Sequence, residues 1–464
     1  MKSQIKTKYY HLRVFGCQMN KSDAERIETV MEKSGYSPTD DEKKASVVIA
    51  VACSVRQSPI DRVYGLSGRW SKLPAKTILT GCVLGFDRVK LAKRFDHILP
   101  ITEIGKILKG IRHPSTLLRT GEALGMRDDD NKCQYLGIEP KRGSKFQAWV
   151  PIMTGCDNYC SYCVVPYTRG REKSRPAEEV VALVRGLIKQ GYKEITLLGE
   201  NVNRYRSKSK IKNKKSKTQI KNEKIIDFPQ LLKDLAQIPA KFWIRFVTSH
   251  PEDFTDELIK VVAGAEKICN HIHLPIQSGS TAVLKKMNRK YTKSEYVRLI
   301  GKIRKTIPDA SISTDIIVGF PGETKKQFLE TADMMKKVKF GMAYIAQYSP
   351  RPGTAAAKME DDVTREEKKR RERVLMDILK KTSLENNRRL VGETMEVLVV
   401  SKKQKDNPST SSGRGKTKKQ FLVGKTEGFK NVRFGGDEKL VGEFVKVKIT
   451  KASEFGLEGE IIKN

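Results

Sequence analysis

Three cysteines that could do chemistry together, Cys156, Cys160 and Cys163, follow the apolar run 146–153 at C-x3-C-x2-C spacing. Thiolates this close in sequence can converge on one small object, and cysteine thiolates are the usual ligands of iron–sulfur clusters. A [4Fe-4S] cube held by only three thiolates leaves one iron open to a ligand from outside the protein. The spacing therefore predicts a cluster that takes part in a reaction.

The alternatives are a structural zinc loop and three unrelated core cysteines. Structural zinc normally takes four ligands arranged as two Cys or Cys/His pairs. No fourth cysteine or histidine lies nearby in the sequence. The iron–sulfur cluster is therefore the favoured interpretation.

A second group of three cysteines, Cys17, Cys53 and Cys82, lies at the ends of apolar runs of strand type. Ligands of open α/β sheets gather at the carboxyl ends of the strands, so these cysteines could meet at one site and hold a second cluster. The alternative is that they pack as small hydrophobic residues. The neighbouring glycines Gly16 and Gly81 favour the cluster. The three runs are 9–16, 46–53 and 77–82.

The sequence pattern around this second group predicts a small βαβ domain over residues 1–125, with a parallel sheet. We expect a weaker fourth strand at 96–100 and helices at 22–34, opening with a serine cap, and at 101–111. Residues 113–145 are polar and predict a linker or a cover. Cys133 within them has no partner pattern and is predicted to be structural.

The elements around the first group alternate between strand and helix from residue 146 to about 349, within a predicted domain 142–386. Six βα units predict an α/β fold, a partial (βα)6 TIM-like barrel, with its chemistry on the loops after the strands. The predicted strands are 146–153, 194–199, 242–248, 271–277, 311–319 and 342–349, and the helices 176–190, 228–238, 256–265, 294–307 and 324–338.

After a charged helix at 363–389, the last part of the chain, 387–464, reads as short strands separated by turns that contain glycine. This pattern predicts a small β-barrel, a common scaffold for binding oligonucleotides. A module for protein contact is the alternative, and the lysines that alternate along 443–451 favour RNA. The predicted strands are 394–402, 421–425, 432–434, 444–449 and 457–461.

Two basic, low-complexity segments, 207–224 and 402–419, are predicted to be disordered surface inserts, either without a role or adding nonspecific RNA affinity. The whole chain of 464 residues carries a formal net charge of +36. That charge indicates an anionic partner, nucleic acid before membrane, although a lysine-rich composition of the whole proteome is an alternative. No apolar run reaches the length of a membrane span, and the start lacks an apolar signal core. We expect a cytoplasmic monomer whose cysteines are ligands or free thiols.

The cysteine motifs resemble those of the radical S-adenosylmethionine (SAM) methylthiotransferases over nearly the whole chain. The matching motifs of the first domain are Phe15-Gly-Cys17-Gln-Met-Asn20, Ala52-Cys53-Ser-Val-Arg56 and Thr80-Gly-Cys82-Val. Residues 155–170, which contain the first three cysteines, resemble the radical SAM loop of the same family, and the tail is similar to its RNA-binding TRAM domain. Matches to this family also occur at 199–203, 248–251, 273–280, 315–323 and 348–354.

The resemblance implies two [4Fe-4S] clusters. Cys156, Cys160 and Cys163 would hold the cluster that cleaves SAM, and the N-terminal cysteines would hold an auxiliary cluster that carries or receives sulfur. One SAM would supply the methyl group, and a second the radical that removes hydrogen from an unactivated C–H carbon. A reducing protein such as a flavodoxin or ferredoxin is implied as a partner, while the sulfur donor stays open.

The resemblance also implies contacts to SAM at the ends of the central strands. Glu200 and Asn201 are candidates for its amino and ribose groups, and Ser249 and Gln277 for its ribose or carboxylate. The backbone from Gly319 to Gly322 is the candidate for its adenine. We expect His250, near these positions, either to line the site or to bond its own loop. Tyr162 and Val164, beside the cysteines, are expected to be packing residues.

The sequence Gly-Cys-Gln-Met-Asn around Cys17 resembles the branch that methylthiolates C2 of N(6)-isopentenyladenosine beside the tRNA anticodon, which makes the anticodon stem-loop of tRNA the expected partner. The same chemistry on threonylcarbamoyladenosine or on a ribosomal protein is the alternative, and a noncatalytic iron–sulfur RNA-binding protein is a more distant one. The chain departs from the family pattern at Val51 and Ala52, where Asn-Thr is usual, at Glu200 and at Ala355.

Overall fold

The N-terminal part of the chain forms a five-stranded, fully parallel sheet in the order β2-β1-β3-β4-β5. The computed structural model describes residues 8–55, 57–107, 135–210, 223–404 and 420–462. The strands of this sheet are β1 Lys8–Val14, β2 Tyr36–Pro38, β3 Val47–Cys53, β4 Lys76–Cys82 and β5 His97–Ile98. Its helices are α1 Gln18–Glu32, α2 Gln57–Trp70 and α3 Gly85–Leu91.

Strand β3 is buried along its whole length because helices cover both faces of the sheet. Its side chains alternate between two cores: Val47, Ile49 and Val51 pack on one face, and Ala50 and Ala52 on the other. A continuous apolar run is the expected composition of such a doubly covered parallel strand. The predicted parallel N-terminal sheet is thereby confirmed.

The ends of two predicted helices in this region need correction. Helix α1 begins at Gln18 rather than at a serine cap, because Cys17 is the N-cap and Asn20 closes a capping box with it. Ser22 lies inside the helix, where its hydroxyl accepts a hydrogen bond from Arg26 at 2.8 Å. The helix expected at 101–111 is a 3-10 segment, Ile101–Lys106, broken at Glu103, and residues 108–111 lie outside the described ranges. Cys133 also lies outside them.

The central part contains two three-stranded parallel sheets, with strand orders β12-β9-β6 and β13-β14-β15. The edge strand β12 forms two backbone hydrogen bonds with the segment that leads into β13. Ile244 N donates to Lys267 O at 2.7 Å, and Cys269 N donates to Ile244 O at 2.9 Å. A single apolar core runs through both sheets and their helices. The strands are β6 Gln147–Pro151, β7 Met153–Thr154, β8 Lys173–Ser174, β9 Glu194–Leu198, β10 Arg206–Lys210, β11 Glu223–Asp227, β12 Trp243–Phe246, β13 His271–His273, β14 Ser311–Val318 and β15 Met342–Gln347.

The helices that alternate with these strands begin where the sequence supplies side-chain caps. Thr292 and Thr324 form capping boxes with Glu295 and Gln327, which satisfies amide groups that the first helical turn leaves unpaired. The predicted mixed α/β fold with parallel sheets is confirmed. These helices are α4 Val165–Arg169, α5 Ala177–Lys189, α6 Phe228–Ala236, α7 Asp256–Gly264, α8 Thr281–Lys286, α9 Lys293–Thr306 and α10 Lys325–Val338.

The lysine-rich segment 207–224, predicted to be disordered, begins and ends in an antiparallel hairpin. Strands β10 and β11 pair from Arg206 with Asp227 to Lys210 with Glu223. The prediction is therefore wrong for these ends, because the polar strand β10 gains a full ladder of backbone hydrogen bonds from β11. Residues 211–222 lie outside the described ranges.

Helix α11, Arg365–Arg388, leads into a closed five-stranded barrel in the order β16-β17-β18-β20-β19. The predicted small β-barrel is confirmed, but β16 continues through Gln404 into the segment 402–419 that was predicted to be disordered. Residues 405–419 lie outside the described ranges. No helix in the described ranges has the length and apolar character that crossing a bilayer requires. The strands are β16 Thr394–Gln404, β17 Gln420–Thr426, β18 Asn431–Phe434, β19 Phe444–Ala452 and β20 Leu457–Ile461.

The barrel packs against the first central sheet through aromatic rings and one buried arginine. Trp243 of β12 lies edge-on to Phe444 with ring centroids 4.8 Å apart. Arg245 of the same strand donates to the backbone carbonyls of Thr426, at 2.8 Å, and Glu427, at 2.6 Å. It also forms a buried ion pair with Glu194 at 2.5 Å. The barrel is thus fixed to the strand that carries the candidate site at its other end.

Candidate active site

The loop with the first three cysteines follows β6 and β7 and is shaped by a glycine. Gly155 has φ +80°, and a Cβ there would overlap the carbonyl oxygen of Arg171. The backbone can therefore fold back on residues 170–171 only with glycine at this position. Hydrogen bonds then close the loop, from Cys156 N to Gly170 O at 3.2 Å and from Cys163 N to Cys160 O at 2.9 Å.

The structure brings the thiols of Cys156, Cys160 and Cys163 together at this loop. Burial, together with the neighbouring thiols, raises the pKa of the Cys156 and Cys163 thiols to about 12. The positive charge of Arg289 partly offsets this effect at Cys163, and its guanidinium donates to the Cys160 sulfur at 3.6 Å. Three half-buried thiols near one cation form a donor set that suits a cationic iron–sulfur core, which restores the thiolate form.

The N-terminal cysteines also converge, although not all from strand ends as predicted. Cys53 and Cys82 end β3 and β4 and are paired in register. Cys17 is the N-cap of α1, because β1 already ends at Val14. Cys17 is exposed, whereas Cys53 and Cys82 are buried.

One buried side chain, Asn20, ties the N-terminal cysteines to each other. Its amide nitrogen donates to the carbonyl of Ala52 at 3.4 Å and lies 4.0 Å from the Cys82 sulfur. The thiol of Cys17 donates to its amide oxygen at 3.4 Å. The side chain of Ala52 packs in the helix-covered core, so this departure from the family pattern contributes its carbonyl, and not its side chain, to the site.

No three His, Cys, Asp or Glu side chains in the described parts of the chain are placed to hold a single metal ion. In a [4Fe-4S] cube each thiolate binds its own iron atom. The sulfur atoms of such a site therefore need not meet at one point. Both groups fit a cluster better than a mononuclear zinc, since each offers three thiols and no histidine.

Arg169 links the two groups of cysteines and was not assigned a role from the sequence. It is the last residue of α4, directly after the Cys156–Cys163 loop, and its side chain is only 2% exposed. Its guanidinium donates to the Cys82 sulfur at 3.0 Å and to the Asp23 carboxylate at 2.7 Å. It also lies 3.2 Å from the Glu200 carboxylate. Burial lowers the pKa of a guanidinium, but Asp23, Cys82, Tyr135 and Glu200 together outweigh it, so the pKa of Arg169 is raised and the group stays charged.

Three of the predicted SAM contacts carry buried polar atoms that have no hydrogen-bond partner in the described residues: Glu200 Oε2, Asn201 Oδ1 and Ser249 Oγ. Buried polar atoms are normally paired, so each of these needs an explanation. Glu200 and Asn201 follow β9, and Ser249 follows β12. A ligand with amino and hydroxyl groups at the ends of these strands would supply the missing partners.

Backbone strain and a shifted pKa mark the same strand ends. Gln277, after β13, has φ +72°, and Thr248, beside Ser249, has φ +71°. Such conformations are costly for residues other than glycine and cluster at functional sites. Burial raises the pKa of the Glu200 carboxyl to about 7, against the opposing charge of Arg169.

The predicted adenine contact at Gly319 and Gly322 is less open than expected. The amide of Gly319 donates to Glu323 at 2.7 Å, and the amide of Gly322 donates to Asp362 at 2.6 Å. Lys286 also donates to the Gly322 carbonyl at 3.2 Å, so a contact to adenine would have to use the Gly319 carbonyl or the second lone pair of the Gly322 carbonyl. Both glycines lie in the loop after β14 with positive φ.

His250, expected either to line the site or to bond its own loop, does the second. Its Nδ1 accepts a hydrogen bond from the amide of Glu252 at 3.3 Å, so it bonds its own loop. Burial, with Arg289 and Arg204 nearby, lowers its pKa to about 2, so the ring is neutral. Tyr162 packs partly buried against an apolar cluster that contains Phe320, as expected for a packing residue.

Three family profiles match successive parts of the chain. The Radical SAM superfamily matches residues 150–335, Uncharacterized protein family UPF0004 matches residues 9–101, and the TRAM domain matches residues 388–462. The first of these ranges contains the Cys156–Cys163 loop, and the second contains Cys17, Cys53 and Cys82. The third contains the five strands of the barrel.

Two curated relatives match almost from end to end, and both are named tRNA-2-methylthio-N(6)-dimethylallyladenosine synthase. The protein from Thermoanaerobacter pseudethanolicus is 39% identical over 471 residues, which cover 99% of this chain and 93% of that protein. The protein from Carboxydothermus hydrogenoformans is 40% identical, with 98% and 99% covered.

Among solved structures, a radical S-adenosylmethionine methyltransferase from Kitasatospora setae, with cobalamin and a [4Fe-4S] cluster bound, matches with a TM-score of 0.54 at 14% identity. The match covers 76% of this chain and 74% of that one. At this identity the likeness shows a shared fold. It agrees with the mixed α/β architecture of this chain.

Proposed function

The chain belongs to the family of the tRNA-2-methylthio-N(6)-dimethylallyladenosine synthases, and we propose that it transfers a methylthio group to C2 of N(6)-isopentenyladenosine beside the tRNA anticodon. The observation that carries this proposal is the pair of three-thiol groups joined by one buried arginine, Arg169. One such group would support radical chemistry alone. A second group, which Arg169 contacts from a helix directly after the Cys156–Cys163 loop, supports sulfur insertion.

In this proposal Cys156, Cys160 and Cys163 hold the cluster that binds and cleaves SAM. Cys17, Cys53 and Cys82 hold the auxiliary cluster. When bound, the auxiliary cluster would carry or receive the sulfur, SAM would supply the methyl group and the hydrogen-abstracting radical, and the SAM-binding cluster would pass on the electron from the reductant; polar side chains cannot provide this chemistry at an unactivated adenine carbon. The two groups differ in exposure, and exposed Cys17 leaves one side of the auxiliary site accessible.

The residues of the central domain orient SAM. Glu200 and Asn201 bind its amino and ribose groups, and Ser249 and Gln277 its ribose or carboxylate. The segment Gly319–Gly322 lies against its adenine through backbone carbonyls. The three orphaned polar atoms at Glu200, Asn201 and Ser249 support these roles, because they are satisfied only when a polar ligand is present.

The central strands act as one partial (βα)6 TIM-like barrel within 142–386, between the N-terminal domain 1–125 and the TRAM-like domain 387–464. The hydrogen bonds between β12 and the segment before β13 support this arrangement.

The TRAM-like barrel binds the anticodon stem-loop, in keeping with its lysines and with the net charge of +36. The protein works as a cytoplasmic monomer and receives electrons from a flavodoxin or ferredoxin.

Nucleoside mass spectrometry tests the proposal. A bacterial strain that lacks its own enzyme for this modification is complemented with this chain, and its tRNA is digested and analysed. We expect 2-methylthio-N(6)-isopentenyladenosine to appear with the unchanged chain and to be absent with Cys156→Ala or Cys17→Ala. Methylthiolated threonylcarbamoyladenosine instead, or a methylthiolated ribosomal protein, would show that the substrate is wrong.

The same cysteine variants separate the two sites in vitro. Purified, reconstituted Cys17→Ala should still form 5′-deoxyadenosine from SAM and dithionite, because its SAM site is intact, but should add no methylthio group. Cys156→Ala should do neither. Loss of both activities in Cys17→Ala would mean that the two sites are not separable.

A further inference from the structure

Buried arginines of the central domain lie beside both groups of cysteines. Arg169 has its strongest contacts on the N-terminal domain, since it donates to the Cys82 sulfur at 3.0 Å and to Asp23 at 2.7 Å. Its third nitrogen donates to the hydroxyl of Tyr135 at 3.1 Å. Among the described polar contacts of Arg169, Glu200 alone belongs to the central domain, where it follows β9. The guanidinium is therefore inserted into the site of the other domain.

A second arginine of the central domain, Arg351, behaves in the same way. It is 7% exposed, donates to the side chain of Gln57 in α2 and lies within electrostatic range of Cys53, Asp61 and Asp87. Arg289, by contrast, stays within the central domain, where it donates to Cys160. The N-terminal domain thus supplies three thiols, while the central domain supplies two cations, Arg169 and Arg351, that interact with them among the described residues.

We propose that Arg169 is a positioning residue that completes the auxiliary cluster site from the central domain, by holding the Cys82 thiolate and setting the reduction potential of the cluster. This inference rests on the proposed assignment of Cys17, Cys53 and Cys82 as cluster ligands. It goes beyond that assignment, because it makes the electron affinity of the auxiliary site depend on the last residue of α4, the short helix that follows Cys163.

The sign of the effect follows from charge. Three thiolates already make the ligated cluster anionic, and each added electron makes it more negative. A cation 3.0 Å from a ligating sulfur stabilises the reduced form more than the oxidised form, and burial strengthens this interaction. The Asp23 and Glu200 carboxylates oppose it. Removal of the guanidinium leaves them unbalanced, so the potential must move to more negative values.

The experiment isolates the auxiliary cluster in the full chain by replacing Cys156, Cys160 and Cys163 with alanine. In this background Arg169→Met, Arg169→Gln and Arg169→Lys are compared by redox titration followed by electron paramagnetic resonance. We expect a more negative potential for the Met and Gln variants, and a potential close to that of the parent for Lys, which keeps the charge. The matched control is Arg289→Met, which removes the cation beside the absent cluster and should leave the potential unchanged.

The outcomes distinguish the inference from the assignment beneath it. A parent that binds no iron would refute the assignment of the N-terminal cysteines, and with it the proposed function. A parent that binds about four irons, with neutral Arg169 variants of unchanged potential, would overturn the inference alone. If the neutral variants lose the cluster while Arg169→Lys keeps it, the cation is needed to complete the site, as proposed. Loss of the cluster in all three variants would overturn the inference, because charge would then not be the deciding property.

Discussion

Gly81→Ala is the substitution that tests most sharply how the fold builds the auxiliary site. Gly81 pairs with Ala52 in register, one residue before the pair Cys53 and Cys82. Its φ is +104°, and a Cβ there would overlap the Ala52 carbonyl oxygen and approach the Ala52 nitrogen to 2.9 Å. Strands β3 and β4 must therefore separate where they present two of the three cysteines.

The cost has two parts. A left-handed conformation costs a residue with a Cβ roughly 1–2 kcal/mol, and overpacking a buried contact costs about 1–3 kcal/mol. Together they give about 2–5 kcal/mol, a large share of the roughly 5–15 kcal/mol that stabilises an ordinary domain. The carbonyl of Ala52 also accepts from Asn20, so the displacement reaches the side chain that ties the cysteines together.

Urea denaturation and iron analysis after anaerobic reconstitution measure the two consequences. We expect Gly81→Ala to lower the free energy of unfolding and to bind about four irons per chain instead of about eight, while 5′-deoxyadenosine formation persists. Gly186→Ala in α5 is the matched control, because a Cβ there meets nothing within 4 Å. It should raise stability by about 0.5–1 kcal/mol and leave the iron content unchanged. A Gly81→Ala protein with eight irons and unchanged stability would refute this reasoning, as would the loss of all eight.

Three further predictions concern other parts of the molecule. Glu200→Gln should weaken SAM binding in equilibrium titrations, yet stabilise the ligand-free protein. The pKa of Glu200 in the folded protein is about 7, above the ordinary 4.5, so the unchanged protein loses up to about 3 kcal/mol of stability as the pH rises through 7. The variant should not show that loss. Arg245→Met should lower the free energy of unfolding by about 3–5 kcal/mol, because it leaves the Glu194 carboxylate buried without its ion-pair partner. Limited proteolysis should then release the barrel. A barrel as resistant to protease as in the unchanged protein would contradict the role of Arg245 in docking. Tyr159→Ala and Tyr167→Ala remove two rings that are 45% and 49% exposed beside the cysteine loop. Each substitution should raise the KM for tRNA, because exposed aromatic rings stack on unpaired bases, and should leave SAM cleavage without tRNA unchanged. An unchanged KM would exclude contact between these rings and tRNA.

The sequence predicts the parts of this molecule that depend on local pattern. The run that forms β3 is apolar at every position, and the cysteine spacings are visible without a structure. The five barrel strands are separated by turns that contain glycine. In each case neighbouring residues decide the conformation, so the pattern and the structure agree.

The parts that sequence reasoning missed depend on contacts between distant segments. Arg169 stands in a motif that was recognised, but its role arises only when the two domains pack and place it beside Cys82. Helix α1 begins four residues before the predicted serine because a cysteine caps it, which capping preferences do not favour. Strand β10 is polar and would not form alone, and its pairing with β11 supplies the missing stability. The amides of Gly319 and Gly322 are engaged by Glu323 and Asp362, which no spacing rule indicates.

The central claim is that two clusters in this chain cooperate to methylthiolate an adenosine in tRNA. The most direct measurement incubates the reconstituted protein anaerobically with SAM, dithionite, added sulfide and tRNA that contains N(6)-isopentenyladenosine, and follows 5′-deoxyadenosine and the modified nucleoside by mass spectrometry. We predict that both appear, with a gain of one methylthio group at C2. A protein with all six cysteines ligated to iron that forms no 5′-deoxyadenosine would contradict the claim, and so would one that cleaves SAM but leaves the nucleoside unchanged.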